Sequence, residues 1–177
     1  MIMTPRIGPA FSTERLDLRP IVPGDADRIV ALANDRAVAR MTSFTHPFGH
    51  FGAEALIRRA ARANLDDEVW FAVDLPGEGL IGTLSFKPDG ALAPEAGYWL
   101  GRPYWGRGFM TEVLTGALRW VKADWRRRCL SARHFVDNPA SARVLERAGF
   151  LYTGRVELRH CPARDEQVLN RWMVWLA

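Results

Sequence analysis

Residues 104–112 read YWGRGFMTE, and they stand between a strand-like stretch, AGYWL at 96–100, and the clearest helical pattern in the chain. From Gly108 onward Met110, Val113, Leu114, Ala117, Leu118 and Val121 recur at i, i+3, i+4, i+7, i+8 and i+11, the spacing of one helix face. The helix start marked in this way carries Gly106 and Gly108, with Arg107 between them and Arg102 just upstream. A helix N-terminus presents unpaired N–H groups and about half a positive charge, so it favours an anion. Glycines let that anion approach the backbone without a Cβ in the way, and the arginines add charge. The pattern is not that of the common nucleotide sites. No G-x-x-x-x-G-K-[ST] is present, and the third glycine of G-x-G-x-x-G would fall at Thr111.

A second strand-to-helix junction lies at DNPASARVLERAGF, residues 137–150. Asn138 is a natural N-cap, Pro139 fits the first helical position, and Gly149 suits a left-handed C-terminal cap with Phe150 packing back. Upstream, ERLDLRP (14–20) alternates Leu16 and Leu18 with charged neighbours, as a half-buried strand does. Asp25 then precedes a helical stripe of Ala26, Ile29, Val30 and Ala33. MTSFTHPFGHFG (41–52) reads as a loop opening onto a helix with Leu56, Ile57, Ala60 and Ala61 inward. Strands are expected at 70–75, 80–86, 96–100, 129–136, 151–159 and 169–177, the first three forming a meander broken by PGEG and KPDGALAP.

The 177 residues, 48% apolar and 25% charged, suit one soluble globular domain, 1–177. The formal charge of +4, from 24 basic and 20 acidic side chains, fits anionic small molecules as well as nucleic acid. MIMTPRIGPAFSTERL has no apolar run of signal-peptide length, and no stretch reaches the roughly 18 apolar residues of a membrane span. A cytoplasmic protein with no membrane partner is expected. Cys129 and Cys161 form no C-x-x-C pair and are read as reduced thiols. His46 and His50 have i, i+4 spacing, but Pro47 and Gly49 between them argue against a helical metal site, so no metal is expected. Arg126, Arg127 and Arg128 are read as a solvated helix end that offsets the dipole, so nucleic acid is not the expected partner.

The order of TERLDLRP, AGYWLGRPYWGRGFMTEVL and DNPASARVLERAGF resembles the GNAT superfamily of acetyl-CoA-dependent N-acetyltransferases, specifically the branch that holds the ribosomal-protein N-terminal acetyltransferases. The resemblance runs from about Thr13 to Leu176. It implies an α+β, α/β/α-layered fold: a mixed, mostly antiparallel sheet of about seven strands with helices on both faces. That sheet is splayed in the middle, so that the pantetheine arm of acetyl-CoA lies between AGYWL and CLSARHFV. Pyrophosphate would rest on the amides of Gly106, Arg107, Gly108, Phe109 and Met110, with Thr111 and Arg102 close by. Trp99 and Leu100 would contact the arm from one side, and Asn138, Ser141, Arg143 and Val144 from the other. The family pattern has Gln or Arg three residues before the first glycine, where this chain has Pro103. A side-chain role there is therefore not carried over.

Acetyl transfer needs a neutral amine, donors for the charge that develops on the carbonyl oxygen, and a proton for the departing thiolate. The resemblance implies direct attack by the amine, with no nucleophilic cysteine. Glu95 is the candidate base, and Ser141 the residue near the thioester sulfur. Asn138 serves as helix cap and ligand contact, with Tyr98 as a reserve acid. The oxyanion donor would be a backbone N–H near Trp99 or Leu100. The acceptor is expected between the early helices and the late hairpin, at Phe44, Phe48 and His160. Two other classes remain open: an acyl-CoA-binding sensor without chemistry, and a basic RNA- or ribosome-binding module. A homodimer is also compatible, with tryptophans at its seam.

Overall fold

Neighbouring residues of one strand fix the layering. Strand side chains alternate between faces, and in β3 (Val69–Leu75) Phe71 meets Trp120 edge-on at 5.4 Å, while Trp70 lies under the Arg59 guanidinium at 5.7 Å. Trp120 belongs to α4 (Phe109–Ala123) and Arg59 to α3 (His50–Arg62), so helices cover both faces of the sheet. The computed structural model describes residues 8–88 and 93–177; the first seven residues and the centre of KPDGALAP lie outside them. The remaining elements are β1 (Phe11–Ser12), β2 (Asp17–Arg19), α1 (Ala26–Ala33), α2 (Arg36–Ala39), β4 (Gly79–Lys87), β5 (Glu95–Leu100), β6 (Cys129–Phe135), α5 (Pro139–Arg147), β7 (Leu151–Cys161) and β8 (Glu166–Leu176).

The strands form one sheet in the order β1-β2-β3-β4-β5-β6-β8-β7, eight strands where about seven were expected. The extra one is β1, two residues long, which turns back on β2 through Phe11↔Leu18 and Ser12↔Asp17. Every pairing is antiparallel except β5 with β6. That parallel pair touches at only Glu95↔Ser131 and Ala96↔Ala132. Beyond Ala96 the strands part, although β5 stays paired with β4 through to Leu100 and β6 with β8 through to Phe135. This is the mixed, splayed α+β architecture that the resemblance implied.

The two long helical readings hold in detail. All six periodic residues of α4 are buried. In α5 the Asn138 side chain accepts the Ser141 N–H at 3.1 Å, Pro139 opens the helix, Gly149 has φ +92°, and Phe150 folds back under cover. Asp25 stands just before α1 as expected, and its carboxylate accepts the Val22 N–H and the Arg19 guanidinium, which also holds Asp74. Those two carboxylates, Asp25 first, push the Arg19 pKa up against the effect of burial. Two expectations for α3 need correction. Its buried residues are Ala53 and Ile57, and Ala61 faces solvent. The helix also starts at His50, inside the stretch read as loop, with Gly52 under the Phe48 ring. The short α2, capped by the Asp35 carboxylate on Ala37 N at 2.7 Å, had no periodic stripe to announce it.

One glycine in β4 matters to the parting of the strands. A Cβ at Gly82 would collide with the Trp99 carbonyl and the Leu100 side chain. Gly82→Ala should therefore push β5 off its partner and cost about 1–3 kcal/mol, as overpacking does. Calorimetric melting would read this as a fall in Tm of roughly 2–4 °C per kcal/mol.

Candidate active site

Where β5 and β6 part, a cavity of about 550 Å³ opens. Its walls include Glu95, Gly97, Tyr98 and Trp99 from β5, Thr83, Ser85 and Lys87 from β4, Asn138 and Ser141 at the start of α5, Phe44 from the loop before α3 and His160 from β7. The strand geometry says which backbone groups face the gap. Gly97 O accepts from Ser85 Oγ at 3.2 Å, and the Trp99 carbonyl abuts Gly82, so both point to β4. By the alternation of a strand, the N–H and C=O groups of Tyr98 and Leu100 point towards β6. Of the two positions expected to supply an oxyanion donor, Leu100 faces the gap and Trp99 does not. Leu100 O is already engaged by Trp105 Nε1 at 2.8 Å.

At the inner end of the gap Tyr98 Oη and Ser141 Oγ are 2.9 Å apart. Ser141 is held by the cap that Asn138 makes on its N–H, so the sequence signal for a helix start also fixes this hydroxyl. Burial pushes the Tyr98 phenol well above its ordinary pKa, against the opposing effect of the Ser141 hydrogen bond. It remains protonated at neutral pH and available as a donor. Glu95 lies at the start of β5, where that strand still pairs with β6, with its carboxylate 2.9 Å from Arg133 Nη2.

Downstream of β5, at the start of α4, Gly106 and Gly108 adopt φ of +73° and +77°, the left-handed region that suits glycine. A Cβ at Gly106 would meet nothing within 4 Å. The first intrahelical bond of α4 runs from Glu112 N to Gly108 O at 3.1 Å, which leaves the amides of Phe109, Met110 and Thr111 at the open helix end. The side chains of Phe109 and Met110 are buried, so only their backbone can serve a ligand. Acetyl-CoA fits these features: a bare cationic backbone for pyrophosphate and an unpaired strand edge for an extended amide-bearing arm.

The loop is clasped from the N-terminus, which the sequence did not signal. Glu112 accepts from Thr13 Oγ1 at 2.6 Å, Arg15 N at 2.8 Å and Arg15 Nε at 2.7 Å. Arg15 also reaches Arg107 O at 3.2 Å, and both guanidiniums stack on Phe109, at 4.7 and 4.6 Å. Burial works to raise the Glu112 carboxyl, but the hydrogen bonds from Thr13 and Arg15 prevail and hold it below its ordinary value.

The structure brings Glu95, Tyr98, Trp99, Asn138, Ser141, Phe44 and His160 together on one cavity. Phe48 is not among them. It is 5% exposed and packs in the core against Phe44 at 4.7 Å, because its N–H is tied to Asn34 Oδ1 at 2.8 Å. Arg102 is exposed and turned to Asp35 at 3.9 Å, Arg143 is exposed, and Val144 leans on the core. Sequence reading missed Lys87 and Arg133. The signal for the first was present: Thr83, Ser85 and Lys87 alternate as a polar stripe in an otherwise apolar strand that helices cover. His46 lies before α3 and His50 at its start, and among the described residues no group of three or more His, Cys, Asp or Glu could hold a metal. Of the arginine run, Arg127 is turned inward onto the Trp125 ring and Asp66 O. Among the described residues no helix is long and apolar enough to cross a membrane.

Residues 15–151 match the model of the acetyltransferase (GNAT) domain. The chain belongs to the GNAT acetyltransferase family. Among relatives, an uncharacterised N-acetyltransferase of Bacillus subtilis (strain 168), YoaA, is 29% identical over 153 residues, 82% of this chain and 85% of the relative. The ribosomal-protein-S5-alanine acetyltransferase of Vibrio fischeri superposes with a TM-score of 0.80 at 21% identity, covering 95% of this chain and 96% of that one. Spermidine N-acetyltransferase of Vibrio cholerae, solved with CoA and spermine, does so with a TM-score of 0.75 at 23% identity over 92% and 95% of the two chains. The fold of this GNAT chain is therefore shared by enzymes whose names give very different acceptors.

Gly108 separates backbone strain from ligand contact. Gly108→Val should raise the acetyl-CoA Kd at least about tenfold, about 1.4 kcal/mol. Some stability is lost as well, because a non-glycine residue in the left-handed region is strained by about 1–3 kcal/mol. Gly77→Val, at φ +86° in the remote β3–β4 turn, carries the same strain. It should melt earlier but bind acetyl-CoA with unchanged affinity in calorimetric titration.

Proposed function

We propose that this chain is a single-domain, cytoplasmic, acetyl-CoA-dependent N-acetyltransferase of the ribosomal-protein type, acting on a primary amine by direct attack on the thioester. The observation that carries the reading is the meeting of Glu95, Tyr98, Asn138 and Ser141 on the cavity where β5 and β6 part, with the positive-φ Gly106–Gly108 start of α4 following β5 in the chain. Acetyl-CoA supplies an acyl group activated as a thioester. The residues of the chain do the rest. Leu100 N–H is the donor aimed into the gap, where charge develops on the carbonyl oxygen. Glu95, oriented by Arg133, takes the proton that the amine loses, directly or through water. The C–N bond forms as the C–S bond breaks, and the sulfur receives a proton from the Tyr98–Ser141 pair. Phe44, in the loop before α3, and His160, near the end of β7, are the acceptor contacts.

We also propose that a second copy pairs along β7. This edge strand leaves Leu151, Val156 and Leu158 more than half exposed, at 66%, 51% and 61%. Sedimentation of the purified protein at micromolar concentration would show a species of twice the chain mass, and a monomer throughout would remove the proposal.

Steady-state release of CoA thiol tests the chemistry. Tyr98→Phe should lower kcat by about 10²–10⁴-fold, the usual range for a lost general acid, while acetyl-CoA affinity stays close to wild type. Ser141→Ala should show a smaller fall of the same kind. His160→Ala should raise the acceptor KM and leave kcat nearly unchanged. If no amine or peptide releases thiol and acetyl-CoA does not bind, the reading is wrong.

A further inference from the structure

The charge on the cavity wall is uneven. Among the described residues four cations line it, Arg59, Lys87, Arg133 and Arg159, against one carboxylate, Glu95. Part of this excess is met from behind. Glu68 holds Arg59 at 2.7 Å, and Glu157 is shared by Arg155 at 2.9 Å, Arg133 at 3.6 Å and Arg159 at 3.9 Å. Glu95 is itself held by Arg133.

Lys87 is different. Among the described residues its ammonium makes no hydrogen bond and has no carboxylate within 4.0 Å. It lies 5.3 Å from the centre of the Trp70 ring, and a Cβ on Gly97 would be 3.6 Å from its Nζ. Loss of solvation lowers its pKa from the ordinary lysine value; Glu95 opposes this, and Arg59 adds to it. A half-buried ammonium with no carboxylate beside it is free to take a bound anion as its partner, by a charge-assisted hydrogen bond. The place is apt. Lys87 stands opposite Glu95 in the β4–β5 register, and its Nζ leans over Gly97, next to Tyr98.

We infer that the acceptor is a primary amine carrying an anionic group, a carboxylate or a phosphate, a few bonds from its nitrogen, and that Lys87 recognises that group. This deepens the acetyltransferase reading and rests on it. The bonds made and broken are those of the transfer described above; Lys87 takes no part in them. It fixes the end of the acceptor away from the reacting nitrogen, while Arg133 and Arg159 keep the surrounding potential positive. A polyamine would instead bring a second ammonium against Lys87, a like-charge contact that selects against it.

Matched acceptors test this in the whole protein. γ-Aminobutyrate is compared with butylamine and putrescine, and phosphoethanolamine with ethylamine, by kcat/KM for CoA thiol release. The same compounds are titrated calorimetrically into CoA-saturated protein, so that slow turnover still gives an answer. Wild type should favour an anionic member at least about tenfold, and the better of the two anionic probes identifies carboxylate or phosphate. Lys87→Gln should bring the ratio close to one by raising KM rather than lowering kcat, with Tm unchanged. Lys87→Glu should turn the preference towards putrescine, and Lys87→Arg should keep most of the original preference. A wild-type preference for the neutral or dicationic member, or an anion preference that survives Lys87→Gln, overturns the inference. CoA binding without any anion preference defeats this inference alone, whereas no CoA binding defeats the acetyltransferase reading and this one with it.

Discussion

The site depends on an interruption in hydrogen bonding. Two strands that run side by side normally pair along their shared length, because an unpaired backbone amide away from water is costly. Here β5 and β6 pair at two positions and then diverge, each retaining its partner on the far side. The sheet is thus two antiparallel halves hinged at Glu95–Ala96, and strand alternation directs the backbone groups of Tyr98 and the N–H of Leu100 into the opening, the Leu100 carbonyl being taken by Trp105. α5 begins across that opening, where its cap brings Ser141 to Tyr98. An extended chain bearing amides would find there the backbone partners that the sheet leaves unused.

The polar groups follow from that opening. β4 and β5 present Thr83, Ser85, Lys87 and Glu95 on a face that would be apolar if α3 packed closely over it. Charged groups here are covered without being fully buried, and each arginine has found a carboxylate. The aromatic contacts of Phe44 with Phe48 and Trp99 hold the loop before α3 in place, so that the cavity roof is a packed structure and not a loose flap.

How much was legible in the sequence depended on how local the cause was. α4 and α5 could be read because period, cap and C-terminal glycine lie within one short stretch, and the Gly106–Gly108 start because its chemistry is that of a helix end. The splay itself is invisible in AGYWL, which alternates like any strand; it came only through family resemblance. Four-residue α2 and two-residue β1 are too short to show a period. Phe48 was misjudged as a pocket residue because aromatic residues in a loop look alike in sequence, and what buries it is the Asn34 side chain on its N–H. Arg133 and Arg15 act through partners far along the chain, and no window of sequence contains such a pair.

The clasp on the helix start has a consequence for how the protein acquires its shape. Glu112 is bonded to Thr13 and Arg15 across 99 and 97 residues of chain. Contacts of such long range form late, since the chain between them must first be ordered. The β1–β2 hairpin leaves the ribosome before α4, yet it cannot reach its partner until β3, β4, β5 and the first turn of α4 have emerged. The helix start that carries Gly106 and Gly108 is accordingly among the last parts of the molecule to be finished, and a chain cut short before Glu112 would have the hairpin but nothing for it to hold.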